Sequence, residues 1–278
     1  MIPVARPGTS ILPPPLGNFD GMETRMTMTV TMLGTGAPLH PDRAMTGMVV
    51  TAPGCAPLMI DTCGGFELIR QMHKVGLERD AVRNVIVTHR HLDHAGGIQA
   101  LLLARVPLEI YANADTHDGI RTMTAGCFPE WTQHPEIGRH VVRAGTPREI
   151  GGFRISFFDV EHRVPTLAVR VEAHGKTFAF SADCLPCDGA VACARDADFF
   201  LCDAICADAD GPEAIARARA NVHPTAREAA VMATRAGAKR LACTHIGRFG
   251  SADKILAEAS ADFAGPAILA QDGAAYDV

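Results

Sequence analysis

The sequence of 278 residues lacks any run of eighteen apolar residues, and its first residues do not join a charged start to a continuous apolar core. Neither a membrane span nor a secretory signal is expected, and the chain reads as cytoplasmic. It also lacks a basic excess: 26 Lys and Arg stand against 31 Asp and Glu, a net charge of −5. That balance argues against a generally basic nucleic-acid surface. A disulfide framework is missing too, because the nine cysteines, an odd number, show no repeated spacing between Cys55 and Cys243. The solitary Cys184-Leu-Pro-Cys187 is weak evidence for zinc or redox chemistry, and packing or a helix start is its plain reading. The glycines of Gly34-Thr35-Gly36 are not followed by Gly-Lys-Ser/Thr, which excludes a P-loop cradle.

What is present is ample apolar content, 47% of residues, enough for one large α/β domain. Residues 1–27 hold Pro3, Pro7, Pro13, Pro14 and Pro15, so they read as a Pro-rich N-terminal arm, a solvated tail or a strap across a partner subunit. Residues 28–278 form the folded domain. Strands are predicted from Met28, at Met48–Thr51, Pro57–Ile60, Val85–Val87, Leu108–Tyr111, Gly152–Val160, Leu167–Val171, Thr177–Phe180, Asp198–Leu201, Arg240–Cys243 and Ala267–Ala270. Helices are expected up to about Lys74, over Ile98–Ala104, from caps at Asp115/Thr116, from Thr225 through Ala236, and over Ala252–Phe263. Residues 123–140, with Trp131 and His134, show no clear period and read as a lid or a packed connection.

The stretch Thr88–His94 packs His89, His91, Asp93 and His94 into six positions. A buried strand precedes it and glycines follow, so the spacing predicts a loop that points several ligands inward. Neutral imidazoles and a carboxylate suit a borderline ion such as zinc, and the spacing is not that of a helical His-x-x-x-His pair.

This motif resembles the signature of the metallo-β-lactamase superfamily. Further segments resemble its ribonuclease Z-like branch, in order: Leu33-Gly34-Thr35-Gly36, the turn at Asp61, His162 ahead of a hairpin, Asp183 after it, Cys202-Asp203-Ala204, His223-Pro224-Thr225 and His245. The resemblance, from Met28 to Val278, implies a four-layer αβ/βα metallo-β-lactamase sandwich and two Zn²⁺ per chain. It puts His89, His91 and His162 on one ion and Asp93, His94 and His245 on the other, with Asp183 bridging and Asp61 bracing the metal loop. His223 would serve the leaving oxygen, with Asp203 as its orienting partner, and Asp93 could orient a metal-bridging hydroxide. A homodimer is implied by the same analogy.

The sequence departs from the branch at Ala182 and Cys184, where Gly-Asp-Thr is usual, and at Cys202-Asp203, where His-Glu is usual. Twenty residues separate His162 from Asp183, enough for one hairpin, whereas the tRNA-processing members carry a protruding arm there. The expected function is therefore a dinuclear zinc hydrolase of a small phosphodiester or related ester, not tRNA 3′ processing. Alternatives are a hydrolase of another small electrophile (a lactone, aryl sulfate, thioester or carbon–halogen bond) and a non-catalytic metal-bearing sensor. Arg90 and Arg163 flank ligands and read as solvated charges or contacts to an anionic substrate.

Overall fold

The apolar runs become the strands of two seven-stranded sheets in the computed structural model, which describes residues 27–131 and 137–278. One sheet contains β1 (Thr29–Gly34), β2 (Gly47–Thr51), β3 (Leu58–Thr62), β4 (Asn84–Ile86), β5 (Leu108–Ala112), β6 (Ile137–Val141) and β14 (Ala275–Asp277), in the order β14-β1-β2-β3-β4-β5-β6. The other contains β7 (Arg148–Ile150), β8 (Phe153–Val160), β9 (Thr166–Ala173), β10 (Lys176–Phe180), β11 (Phe199–Asp203), β12 (Leu241–Thr244) and β13 (Ala267–Leu269), ordered β13-β12-β11-β10-β9-β8-β7. Strands β3 to β6 are parallel, as are β10 to β13, and the rest pair antiparallel.

Strand alternation sends neighbouring side chains to opposite faces. Val30, Met32, Val50 and Ile60 of one sheet meet Phe153, Phe157, Val169, Phe178 and Phe199 of the other in a shared buried cluster. Each fully buried Phe there contributes roughly 1.5–3 kcal/mol relative to exposure. On the outer face of the first sheet, Val49, Met59, Val85 and Ile110 receive Leu68 and Met72 of α1 (Glu67–Lys74), Ile98 and Leu101 of α3 (Gly97–Leu103) and Ile120 of α4 (Ala114–Cys127). The second sheet is covered by the small apolar faces of α5 (Asp188–Cys193), α7 (Ala226–Ala236) and α8 (Ala252–Asp262). The layers run helix, sheet, sheet, helix, which is the αβ/βα sandwich.

Some boundaries differ from the sequence reading. Helix α4 starts earlier than Asp115/Thr116, because Asn113 is its cap and accepts from the Thr116 N–H at 2.8 Å. Part of the segment 123–140 is regular, since α4 continues to Cys127 and β6 begins at Ile137. Its remaining lid expectation falls on His134 and the Trp131 side chain, which lie outside the described residues, as does the arm up to residue 26. Between His162 and Asp183 stand only β9 and β10, joined through His174 (φ 53°) and Gly175 (φ 72°), the left-handed pair that a tight hairpin requires. Among the described residues, no helix is long and apolar enough to cross a membrane.

Candidate metal centre

The carboxyl ends of the parallel strands meet at the seam between the two sheets, the usual place for a site in α/β folds. Strand β4 leads into Thr88 and His89, and the short helix α2 (Leu92–Ala95) carries Asp93 and His94 in a single turn. From the second sheet come His162 after β8, Asp183 after β10, Asp203 at the end of β11 and His245 just past β12. His223 lies two residues ahead of the cap of α7, where the backbone N–H of Thr225 donates to Glu228 at 3.0 Å.

The donor atoms converge in two overlapping groups. His89 Nε2 is 3.0 Å and His162 Nε2 3.2 Å from His91 Nδ1, and Asp183 Oδ2 is 3.8 Å from His89 Nε2 and 3.9 Å from His162 Nε2. In the second group, Asp93 Oδ2 lies 3.3 Å from both His94 Nε2 and His245 Nε2, while Asp183 Oδ2 lies 3.2 and 3.3 Å from the same two nitrogens. One oxygen of Asp183 thus belongs to both groups, and each group could hold a metal ion. A third combination, of Asp183, Asp203, His223 and His245, meets the same spacing, but there His223 Nδ1 is already engaged by Asp203 Oδ2 at 2.7 Å.

Outer partners set the imidazole tautomers for ligation. His162 Nδ1–H donates to the Val222 carbonyl at 3.2 Å, His94 Nδ1 stands 2.7 Å from Asp61 Oδ2, and His89 Nδ1 is 3.1 Å from the Thr88 hydroxyl. Asp61, fully buried, also accepts the Thr88 N–H at 2.8 Å and its hydroxyl at 2.9 Å, so it braces strand end and histidine together. His245 Nδ1 sits 3.6 Å from Asp203 Oδ1, so one carboxylate backs two imidazoles.

Charge gives an independent test of fit. His94 Nε2 and Asp183 Oδ1 are buried without a hydrogen-bond partner. Burial opposes charge on every group here, and it keeps His89 neutral, well below its ordinary value, with His94 adding to the effect. For His245, burial is outweighed by Asp183, Asp203 and Asp93, which push it up to about 10. His94 is likewise raised well above the usual histidine range against its own burial, chiefly by Asp183, Asp93 and Asp61. Asp93 and Asp183 are held well below the carboxylate range, in spite of burial, by His94 and His245. The cluster demands positive charge, and nitrogen and oxygen donors of this kind suit zinc.

Beside the donors opens a cavity of about 430 Å³, lined by His91, His162, His223 and His245 together with Ile205 and Phe249. His223 stacks on His245 with ring centres 4.8 Å apart. Of the departures from the branch pattern, the two cysteines fall away from this opening, while Asp203 stands directly behind His223. Cys184 and Cys202 pack into the alanine-rich layer beneath α7, so their change leaves the donor set untouched. Ala182 adopts the left-handed conformation that glycine takes without strain (φ 54°), as do Asp61, Cys63 and His245 around the same site.

Of the two flanking arginines, Arg90 pairs with Asp115 at 2.9 Å, whereas Arg163 lines the cavity and donates to the Ala220 carbonyl. The sequence reading missed Thr88 as a partner of His89 and Asp61, and Arg217 and Arg248 as cavity residues. Arg248, three residues after His245, was open to notice; Arg217, in a helix distant along the chain, gave no local signal.

A family model described as "Beta-lactamase superfamily domain" matches residues 58–246. An uncharacterized protein of Mycobacterium leprae is 29% identical over 271 residues, covering 93% of this chain and 91% of its own. Ribonuclease Z of Mycobacterium sp. (strain KMS) is 30% identical over 240 residues, 78% of this chain and 83% of that protein. Among solved structures, the metallo-β-lactamase fold protein YhfI from Bacillus subtilis superposes with a TM-score of 0.75 at 25% identity, over 91% of this chain and 100% of that one. With its two facing sheets and the match through residues 58–246, the chain belongs to the metallo-β-lactamase superfamily and is ribonuclease Z-like.

Proposed function

We propose that the protein is a dinuclear zinc hydrolase of small phosphodiesters, with His89, His91 and His162 holding one ion, Asp93, His94 and His245 the other, and Asp183 shared. The observation that carries this reading is His223 on the cavity wall, outside both donor groups, backed by Asp203 at 2.7 Å. When bound, zinc supplies a Lewis acid that activates water and offsets charge on the ester. Asp93 orients the attacking water. With Nδ1–H given to Asp203, the protonated form of His223 has its Nε2–H left to deliver to the leaving oxygen, returning to the neutral ring. A leaving alkoxide needs that proton, which is why the His223–Asp203 pair favours an ester substrate over a site that merely binds. The bare hairpin between His162 and Asp183 supports a small substrate and not the tRNA 3′ end. A homodimer is part of the same reading, and light scattering on purified protein tests it.

The test is elemental analysis combined with turnover of bis(p-nitrophenyl) phosphate before and after chelation. About two zinc per chain with chelator-sensitive turnover is the expected result. Two zinc with no turnover of the diester, but hydrolysis of a lactone or aryl sulfate, would reassign the substrate; efficient maturation of precursor tRNA would overturn the exclusion of tRNA.

A further inference from the structure

We propose, resting on the phosphodiesterase reading, that Arg163, Arg217 and Arg248 form a second anion subsite at the cavity mouth, selecting diesters that carry a further phosphate or carboxylate on one ester arm. Three separate segments bring these guanidiniums to one opening: the loop after β8, α6 (Pro212–Asn221) and the loop after β12. Among the described residues, no Asp or Glu lines that cavity, although acids outnumber bases in the chain as a whole.

Cations on the adjoining elements are neutralised. Arg219 pairs with Glu228, Arg227 with Asp208 and Asp262 at 2.8 Å each, Arg235 with Asp188 at 2.7 Å and Lys254 with Asp210 at 3.3 Å. Arg217, two residues before the paired Arg219, instead lies over the Phe249 ring, 5.9 Å from its centre. Arg163 is held by the Ala220 carbonyl, with Asn221 Oδ1 at 3.5 Å. An aromatic face and a carbonyl orient a guanidinium without cancelling its charge. Among the described residues, none of the three has a carboxylate within ion-pair distance.

Guanidinium forks match the planar oxygens of phosphate and carboxylate. A cavity of about 430 Å³ has room for an ester arm beyond the scissile phosphate. Its lining also includes Pro38, Ile205, Phe249 and Leu39, which is 78% exposed with φ 67°. The arm that fits is partly apolar and carries an anion.

A matched pair of probes tests this: thymidine 5′-(p-nitrophenyl phosphate), and the same diester with a 3′-phosphate. For zinc-loaded protein, kcat/KM is expected to be about tenfold higher for the 3′-phosphorylated diester, mainly through KM, and the preference shrinks with added salt. In the Arg217→Gln/Arg248→Gln double variant the ratio falls to about one. Thermal melting checks that these exposed substitutions leave the fold intact. A ratio near one in the wild-type protein, or one unchanged in the variant, overturns the subsite.

If neither diester is turned over, the phosphodiesterase reading fails by itself. The subsite is then judged by calorimetric binding to metal-free protein of thymidine 3′,5′-bisphosphate against thymidine 5′-phosphate. About tenfold tighter binding of the bisphosphate, lost in the double variant, upholds it; equal binding of the two removes it.

Discussion

At the scale of single residues, the histidine cluster depends on acids that never face the cavity. Asp61 is fully buried and joins Thr88 to His94. Replacing it by Ala leaves the imidazole and the strand-end N–H without their acceptor, and removing one partner of a buried charged pair costs about 3–5 kcal/mol. Lost second-layer support weakens metal binding by about 10–100-fold. The Asp61→Ala variant should therefore show both a lower melting temperature and a weaker zinc dissociation constant; a change in melting alone would reduce Asp61 to a structural brace. His223→Gln should separate leaving groups. With an alkoxide leaving group kcat should fall by about 10²–10³-fold, whereas p-nitrophenolate, which needs no proton, should lose less than about tenfold. Equal losses on both would remove the proton-donor role.

At the scale of elements, the site rests on close approaches that admit no side chain. A Cβ on Gly97 would stand 1.8 Å from the Thr62 carbonyl oxygen and 2.9 Å from Leu68. Gly97→Ala would push α3 off β3, and Thr62 is the residue whose hydroxyl holds the His94 carbonyl at 2.7 Å. Overpacking of this kind costs about 1–3 kcal/mol, a drop of several degrees in melting temperature. The check is calorimetric melting with zinc content measured on the same preparation.

The same scale shows what was legible in the sequence. Strands β3, β4, β8, β10 and β11 carried enough buried apolar residues to be read within a residue or two, and the loop motif at Thr88–His94 pointed to residues that the fold brings into the two candidate donor groups. Helix α6 was not read, because its Ala and Arg alternate without a clear apolar stripe and only Ala214 and Ala218 are buried. The edge strands β6, β7 and β14 were also missed, since a short strand exposed on one side leaves few apolar positions to count. Nor could spacing alone reveal which arginines reach the cavity. Arg90 and Arg163 looked equivalent in the chain, and Asp115 on a different element separates them.

For the whole molecule, the charge on the donor cluster couples stability to pH and metal. In metal-free protein, the raised pKa values of His94 and His245 contribute stability that is fully present below about 6.5, the ordinary histidine value. His245's share is lost as pH rises through about 10. The depressed Asp93 and Asp183 contribute stability present above about 3.8, lost as pH falls through their lower folded values. Burial holds His89, His91 and His162 below the ordinary histidine value, so they cost stability as pH falls below about 6.5; metal-free protein should accordingly melt highest near pH 6.5 and lose stability toward pH 10. Zinc at about 100 times its dissociation constant should add about 2.7 kcal/mol. Because His94 and His245 must give up their protons to ligate, loading should release protons to the buffer and tighten as pH rises through neutrality. Melting curves with and without zinc across that range check both statements.

The donors come from both sides of the seam: His89, His91, Asp93 and His94 follow β4, while His162, Asp183 and His245 follow strands of the other sheet. Neither of the two groups that take donors from the Thr88–His94 loop is complete within one half of the chain. An ion seated there is a rivet between two plates, and its loss unfastens them. Stripping it with a chelator in excess should then lower the melting temperature of the whole sandwich and not of one half alone.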